Sequence, residues 1–197
     1  MKKLKLSVAV LLTFAVLAAV IVCVIAVIFR DRIVFSEEQE VDAAATMVLL
    51  HETESGSEIC IPVTAEYIDA GDDTYRINVF VSQSDDRRYY EAKNLKLELD
   101  LSEKLEVVSV SRFWGEGENK GSEVQGAESP DVAPENGVKA LKYETESCYM
   151  ILDVYVKGDK PEPAVLKLQY DIDGKGRYAF NHFSDIESAV EVKVQDN

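Results

Sequence analysis

Hydrophobic and polar residues alternate with a period of two along most of the chain beyond residue 45. In Asn94–Leu101, four leucines occupy every second position, and lysine, glutamate and aspartate occupy the positions between them. This pattern predicts a β-strand with one buried face. Alternation, or enrichment in β-branched and aromatic residues, predicts further strands at Met47–His51, Ile59–Tyr67, Tyr75–Ser82, Leu105–Ser111, Val138–Tyr143, Tyr149–Val156, Leu166–Ile172 and Val190–Val194.

About nine strands follow one another with turn signals between them and no helical pattern. Strands joined in this way pair antiparallel, and two sheets that pack face to face would bury one side of each. The predicted fold class is therefore all-β, an antiparallel β-sandwich. A closed barrel is the alternative that the pattern leaves open.

The amino-terminal part has a different pattern, because Val8–Phe29 is an unbroken apolar run. At about 1.5 Å per residue, its 22 residues form a helix of roughly 33 Å, which spans a hydrocarbon core of about 30 Å. A cleaved signal peptide has a shorter apolar stretch of about 7–15 residues followed by a small-residue cleavage site. We therefore expect a retained transmembrane helix, with cleavage as the alternative.

Basic residues flank the run and predict its orientation. Three lysines precede it, whereas two arginines and one aspartate follow it, so the amino terminus is expected in the cytoplasm and the rest of the chain outside. The predicted organisation is a short cytoplasmic basic segment (1–7), a transmembrane helix (8–29), a juxtamembrane stalk (30–45) and an extracytoplasmic sandwich domain (46–197). Ser36–Gln39 fits a helix capping box, so Glu37 to about Ala45 is expected to form either a short juxtamembrane helix or a stalk.

Charge narrows the possible partners. The chain has a formal charge of −15, and residues 1–32 carry five basic and one acidic side chain, which leaves −19 on residues 33–197. Nucleic-acid binding requires a basic surface and is not expected. The negative charge also argues against a domain that lies flat on anionic lipid. A solvated, displayed domain is the expected arrangement.

The sequence offers few candidates for a site. Gly115–Gly137 has almost no large apolar residues and is expected to be mobile without a defined site. Phe113 and Trp114 precede it and could contact a partner or pack at the edge of the core. Asp171–Gly176 has the Asp-x-Asp-Gly start of a calcium loop but lacks the later ligands. A hairpin turn with positive φ at Asp173 and Gly174 is expected instead.

Cys60 and Cys148 lie in predicted strands outside the membrane, where a disulfide is possible. Residue parity places Cys60 on the outward face and Cys148 on the inward face, so only a β-bulge would bring them into register. The sequence has no nucleophile elbow, zinc motif or phosphate-binding loop. From these observations we predict that the chain is not an enzyme and has no cofactor, catalytic residue or metal site.

Two segments resemble the cohesin family and the related carbohydrate-binding-module sandwiches. Ser55–Thr64 resembles the turn and first strand that end in Pro-Val, and Leu95–Val110 resembles the central hairpin that ends in Leu-Glu-Val-Val-Ser-Val. Tyr149–Leu168 is similar to the later strand pair. The resemblance covers roughly half of the displayed domain, and its motifs mark turns and core positions. It implies a jelly-roll-type sandwich of about nine strands that displays a flat face to a protein or a polysaccharide.

Two functional hypotheses follow from these observations. The first is a membrane-anchored, surface-displayed, non-catalytic binding or adhesion module for a protein or polysaccharide. The second is an accessory or sensor subunit of a membrane protein complex, in which the helix itself makes contacts. Ala15, Ala18 and Ala19 would then supply a small-residue helix interface.

Overall fold

The structure, a computed structural model, describes residues 2–41, 46–83, 88–113, 132–135 and 138–194. Within these ranges, one helix precedes eleven strands, and a short 3₁₀ turn (Gly176–Tyr178) separates the last two. The elements are α1 (Lys2–Ile28), β1 (Ile33–Val41), β2 (Thr46–Thr53), β3 (Glu58–Gly71), β4 (Thr74–Ser82), β5 (Tyr90–Leu101), β6 (Glu106–Phe113), β7 (Val132–Glu135), β8 (Val138–Ser147), β9 (Tyr149–Lys157), β10 (Ala164–Gly174) and β11 (His182–Val194).

The strands form two antiparallel sheets. The first sheet has the order β1-β2-β3-β4-β9-β6, and the second has the order β11-β10-β5-β8-β7. The sheets join where Lys193 and Val194 of β11 pair in parallel with Glu66 and Tyr67 of β3. The edge strands β6 and β7 each pair with a single strand among the described residues, so the barrel does not close. The predicted all-β sandwich is confirmed.

The core lies between the sheets and consists of the inward-facing residues of the alternating strands. The four leucines of β5 are almost fully buried, and so are the inward-facing valines and isoleucines of β3, β4 and β9. Burial of each such side chain contributes about 1.5–3 kcal/mol relative to its exposed state. The alternation along each strand thus decides which face of each sheet remains outside and is available for contacts.

The segment 30–45 differs from its predicted conformation. Residues 33–41 form the strand β1, and Ser36 pairs with His51 of β2 where the capping box predicts a helix start. An isolated helix of two or three turns is marginal in water, whereas an added strand gains a ladder of hydrogen bonds along its whole length. Of the two alternatives, the short helix is therefore wrong.

Two turn regions also differ from the predictions. Val132–Glu135, inside the segment predicted to lack structure, forms β7 and pairs with β8. Residues 115–131 and 136–137 of that region lie outside the described residues, as does Trp114.

The predicted Asp173–Gly174 turn is instead the end of β10, and the positive φ lies at Gly176. Gly174 is required for a different reason: a Cβ there would lie 1.9 Å from the carbonyl oxygen of Tyr178.

The helix α1 contains one segment, Val8–Ile28, that is long and apolar enough to span a membrane, and its most apolar part is not buried against the rest of the described chain. The chain enters the sandwich directly after it. The Phe29 ring packs edge-on against Tyr178, with their centroids 6.1 Å apart. Asp31 is buried at the end of the sandwich next to α1. Only Phe29 and Arg30 therefore separate the helix from this first buried residue of the domain.

Candidate functional site

The outer face of the second sheet forms a groove of about 650 Å³, which we call the outer groove. Four neighbouring strands, β11, β10, β5 and β8, supply its floor through the residues that point away from the core. β1 supplies one wall, because Glu38 of β1 accepts a hydrogen bond from Ser188 of β11. The charged and amide side chains that line the groove are Glu38, Lys96, Glu98, Lys142, Glu144, Lys167, Gln169 and Glu187.

Cross-strand ion pairs organise the floor of the outer groove. Glu98 lies between two lysines, with its carboxylate oxygens 3.1 Å from Lys142 Nζ and 3.3 Å from Lys167 Nζ. Lys167 Nζ also lies 2.6 Å from Asp100. Burial raises the pKa of Glu98, but the hydrogen bonds and charges of the two lysines outweigh it and keep the pKa below its usual value. The floor therefore presents fixed charges of both signs at neutral pH.

A smaller pocket of about 270 Å³ continues from the outer groove into the seam between β1 and β11, and we call it the seam pocket. The outer groove and the seam pocket share Glu38, Glu187 and Ser188. The inner wall of the seam pocket contains His51, which is 4% exposed. The seam pocket therefore connects the solvent-exposed charges of the groove with a buried imidazole.

His51 lies between two hydroxyl groups. Its Nδ1 is 2.8 Å from Ser36 Oγ, and its Nε2 is 2.6 Å from the hydroxyl of Tyr170. Burial lowers the pKa of His51 and raises that of the Tyr170 phenol, so both groups are neutral at pH 7. Because each hydroxyl can donate or accept, the chain of hydrogen bonds is complete in either neutral tautomer.

The second histidine is in the opposite situation. His182 is exposed, and its Nδ1 lies 2.5 Å from Asp173, which also lies 2.5 Å from Lys93 Nζ. The hydrogen bond with Asp173 raises the pKa of His182. The described residues contain no group of three or more histidine, cysteine or acidic side chains that could hold a metal ion. The Asp-x-Asp-Gly sequence thus contributes strand ion pairs.

The residues singled out from the sequence are not brought together. Cys60 is partly exposed on β3 and Cys148 is buried before β9, as their parity predicts, and no disulfide joins them. Phe113 ends β6 opposite Ile151, at the edge of the first sheet, and Trp114 lies outside the described part of the chain. The outer groove lies on the other sheet.

The groove residues were not predicted from the sequence, although part of the signal was present. The outward lysines and glutamates of β5 and β10 are the polar half of the alternation that predicts these strands. The sequence did not show which strands lie next to each other. β10 pairs with β5, although about 70 residues of chain separate the paired positions. His51 ended a predicted strand, but its two hydroxyl partners come from β1, which was not predicted, and from β10.

Comparisons with known proteins add little to this geometry. No protein-family model matches the chain, and no curated protein matches it. Among solved structures, the chain is similar to the protein in "AvmM Catalyzes Macrocyclization in Alchivemycin A Biosynthesis", with 10% sequence identity and a TM-score of 0.27. The alignment covers 83% of this chain and 98% of AvmM.

AvmM catalyses a reaction, and this finding contradicts the prediction from sequence that the present chain is not an enzyme. That prediction is withdrawn. At a TM-score of 0.27 the likeness assigns neither a fold family nor a chemistry to the chain, and a cohesin-like sandwich is not confirmed by it. The fold that is shown is an antiparallel two-sheet sandwich with one apolar helix before it.

Proposed function

We propose that the chain is a membrane-anchored binding or adhesion module that displays its sandwich outside the cell membrane and binds a protein or polysaccharide in the outer groove. In this arrangement α1 spans the membrane with its amino terminus in the cytoplasm, as the basic flanks predict. The observation that carries the proposal is the outer groove itself, which combines a pre-formed concave surface with fixed charges of both signs.

The charge pattern supports a partner that presents complementary charges. Lys96, Lys142 and Lys167 alternate across the floor with Glu98 and Glu144. Such patterns set the orientation of a partner and exclude wrong ones more than they add raw affinity. The resemblance of Ser55–Thr64 and Leu95–Val110 to cohesins and carbohydrate-binding modules supports the same assignment, because those sandwiches also present a sheet face to their ligands.

The test is capture of a partner by the full-length protein in lipid nanodiscs. Bait with Lys96→Glu and Lys142→Glu should lose the partner that wild-type bait retains from surface extracts or polysaccharide panels. Lys104→Glu is the matched control, because Lys104 is exposed and lies outside the groove lining. Retention of the partner by the groove variant would place binding elsewhere and contradict the proposal.

A second function, an accessory or sensor subunit of a membrane complex, is favoured by a different observation. Helix α1 carries a shallow apolar groove of about 490 Å³, with Ala19 and Cys23 on its surface, and the helix joins the sandwich almost without a linker. Small residues allow close helix packing in membranes. Replacement of residues 8–28 by an unrelated helix of equal length separates the two functions: a binding module keeps its ligand, whereas a complex subunit loses its partners.

A further inference from the structure

The end of α1 is fixed to the turn between β10 and β11, residues 175–181, which we call the basal turn. Asn181 Nδ2 donates a hydrogen bond to the carbonyl oxygen of Phe29 (2.8 Å), and Asn181 Oδ1 accepts one from the amide of Asp31 (2.9 Å). Since α1 ends at Ile28, these bonds hold the basal turn at the level where the apolar span ends.

The basal turn exposes aromatic surface at this level. The Phe180 side chain is 55% exposed and is the immediate neighbour of Asn181. Tyr89 is also exposed, and its ring packs edge-on against Tyr178 at a centroid distance of 5.7 Å. A single exposed phenylalanine on a soluble surface needs no explanation. Here, however, it lies beside the end of a spanning helix, where aromatic rings are enriched at the headgroup level.

The same end of the domain carries positive charge. The Arg177 guanidinium lies 5.3 Å from the Tyr89 ring centroid and 5.0 Å from the Tyr178 ring centroid, and Arg30 and Arg32 are exposed on the connection from α1. Lys175 is paired with Glu91, and Glu58 lines the cleft beside Tyr89. Residues 33–197 carry a net charge of −19, so the exposed arginines at this end of the domain form a local exception.

We propose that the basal turn is an interfacial lipid-binding surface: Phe180 and Tyr89 lie in the headgroup layer of the bilayer that α1 spans, and Arg177 binds anionic headgroups there. The proposal rests on the proposed membrane anchorage. Only the end of the sandwich next to α1 then contacts the bilayer. This orientation agrees with the negative charge of the domain, which disfavours a flat orientation on anionic lipid. The headgroup region extends only about 5–8 Å beyond each side of the hydrocarbon core, so contact needs the short, fixed connection that Asn181 provides.

The experiment uses full-length protein in vesicles and depth-dependent quenching by brominated lipids. Trp114, the one tryptophan of the chain, is first changed by Trp114→Phe, and single reporters are then introduced by Phe180→Trp, Phe14→Trp or Val108→Trp. Phe14 lies in the apolar span. Val108 is 58% exposed on β6, and its neighbours Val107 and Ser109 pair with Val156 and Tyr155 near the end of β9. Melting curves verify that each variant is folded.

Emission from Phe180→Trp should be quenched by bromines near the headgroups, several-fold more than emission from Val108→Trp. Quenching should increase in phosphatidylglycerol-containing vesicles relative to phosphatidylcholine alone, and Arg177→Gln should remove that increase, whereas Lys104→Gln should not.

If Phe14→Trp is quenched but Phe180→Trp behaves like Val108→Trp, the basal turn does not contact lipid and the inference is overturned. Headgroup quenching of Phe180→Trp that is the same in both lipids, with or without Arg177→Gln, overturns the role of Arg177. If Phe14→Trp itself escapes quenching, the membrane anchorage fails.

Discussion

At the scale of single residues, Asp31 connects several polar groups where α1 meets the sandwich. Its carboxylate accepts hydrogen bonds from the Tyr90 hydroxyl (2.5 Å), the Ser55 hydroxyl (2.7 Å) and the Ser55 amide (3.1 Å). Burial alone would raise the pKa of Asp31, but these hydrogen bonds outweigh it and lower the pKa. The ionised carboxylate thus links the buried Tyr90 to the exposed residue Ser55.

Asp31→Ala should destabilise the domain by about 3 kcal/mol, because hydrogen bonds to a charged group contribute about 1.5–3 kcal/mol. The substitution also leaves Tyr90 and Ser55 without their carboxylate acceptor. In thermal unfolding this corresponds to a midpoint lower by roughly 6–12 °C. Because the folded-state pKa lies below the unfolded value, the stabilisation is present above about pH 4 and is lost as the pH falls further. Glu54→Ala, at an exposed neighbouring position, should change the midpoint little, and equal effects of the two variants would contradict this role.

The two histidines should have opposite pH signatures. For His51 the folded pKa is lowered, so its contribution is present above the unfolded pKa of about 6.5 and decreases on acidification. For His182 the folded pKa is raised, so its contribution is complete below about pH 6.5 and is lost as the pH rises through the folded pKa. In denaturant titrations, the cost of His51→Gln should shrink between pH 8 and pH 5.5, whereas the cost of His182→Gln should grow. The same trend for both variants would contradict the assigned environments.

At the scale of elements, the sequence predicts a strand wherever one face is buried. The inward residues of β3, β4, β5, β9 and β10 are almost inaccessible to solvent, and their alternation is correspondingly clear. β1 was missed because nearly all of its residues are exposed, which leaves no buried face to create a pattern. β7 was missed because it contains Pro134, which is compatible with an edge strand but argues against a central one.

The end of β10 provides a test at this scale. Gly174→Ala should destabilise the domain by about 3 kcal/mol or more, because the new methyl group would meet the Tyr178 carbonyl and displace the turn. Gly56→Ala is the matched control: its φ of +76° strains an alanine, but no atom lies within 4 Å of the new Cβ, so the cost should be about 1 kcal/mol. Chemical denaturation measures both, and equal costs would show that the close approach at Gly174 is not the constraint.

At the scale of the whole molecule, the first and last parts of the chain complete each other. Asp31 and Asn181, and likewise Glu38 and Ser188, are 150 residues apart in sequence. This separation explains why the outer groove and the seam pocket could not be predicted: their walls come from opposite ends of the chain. It also predicts slow folding, because such contacts pay a large loop-closure cost before they stabilise anything.

Deletion of residues 175–197 should abolish cooperative unfolding, although ten strands remain. The deletion removes β11, exposes an edge of β10 and leaves Asp31 without its Asn181 contact. Circular dichroism melts of the full-length and shortened proteins in the same detergent provide the measurement. A cooperative transition with an unchanged midpoint in the shortened protein would show that β11 is dispensable.

The position of β1 has a mechanical consequence. Its hydrogen bonds to β2 run perpendicular to the strand and extend from Ile33 to Val41, directly after α1. Tension between a partner held in the outer groove and the bilayer would enter the sandwich along the axis of β1. The hydrogen bonds would then be loaded together in shear, and many would have to break at once before the strand could slide. A module attached in this way keeps its shape under a pull that would unzip the same strand if it were loaded from one end.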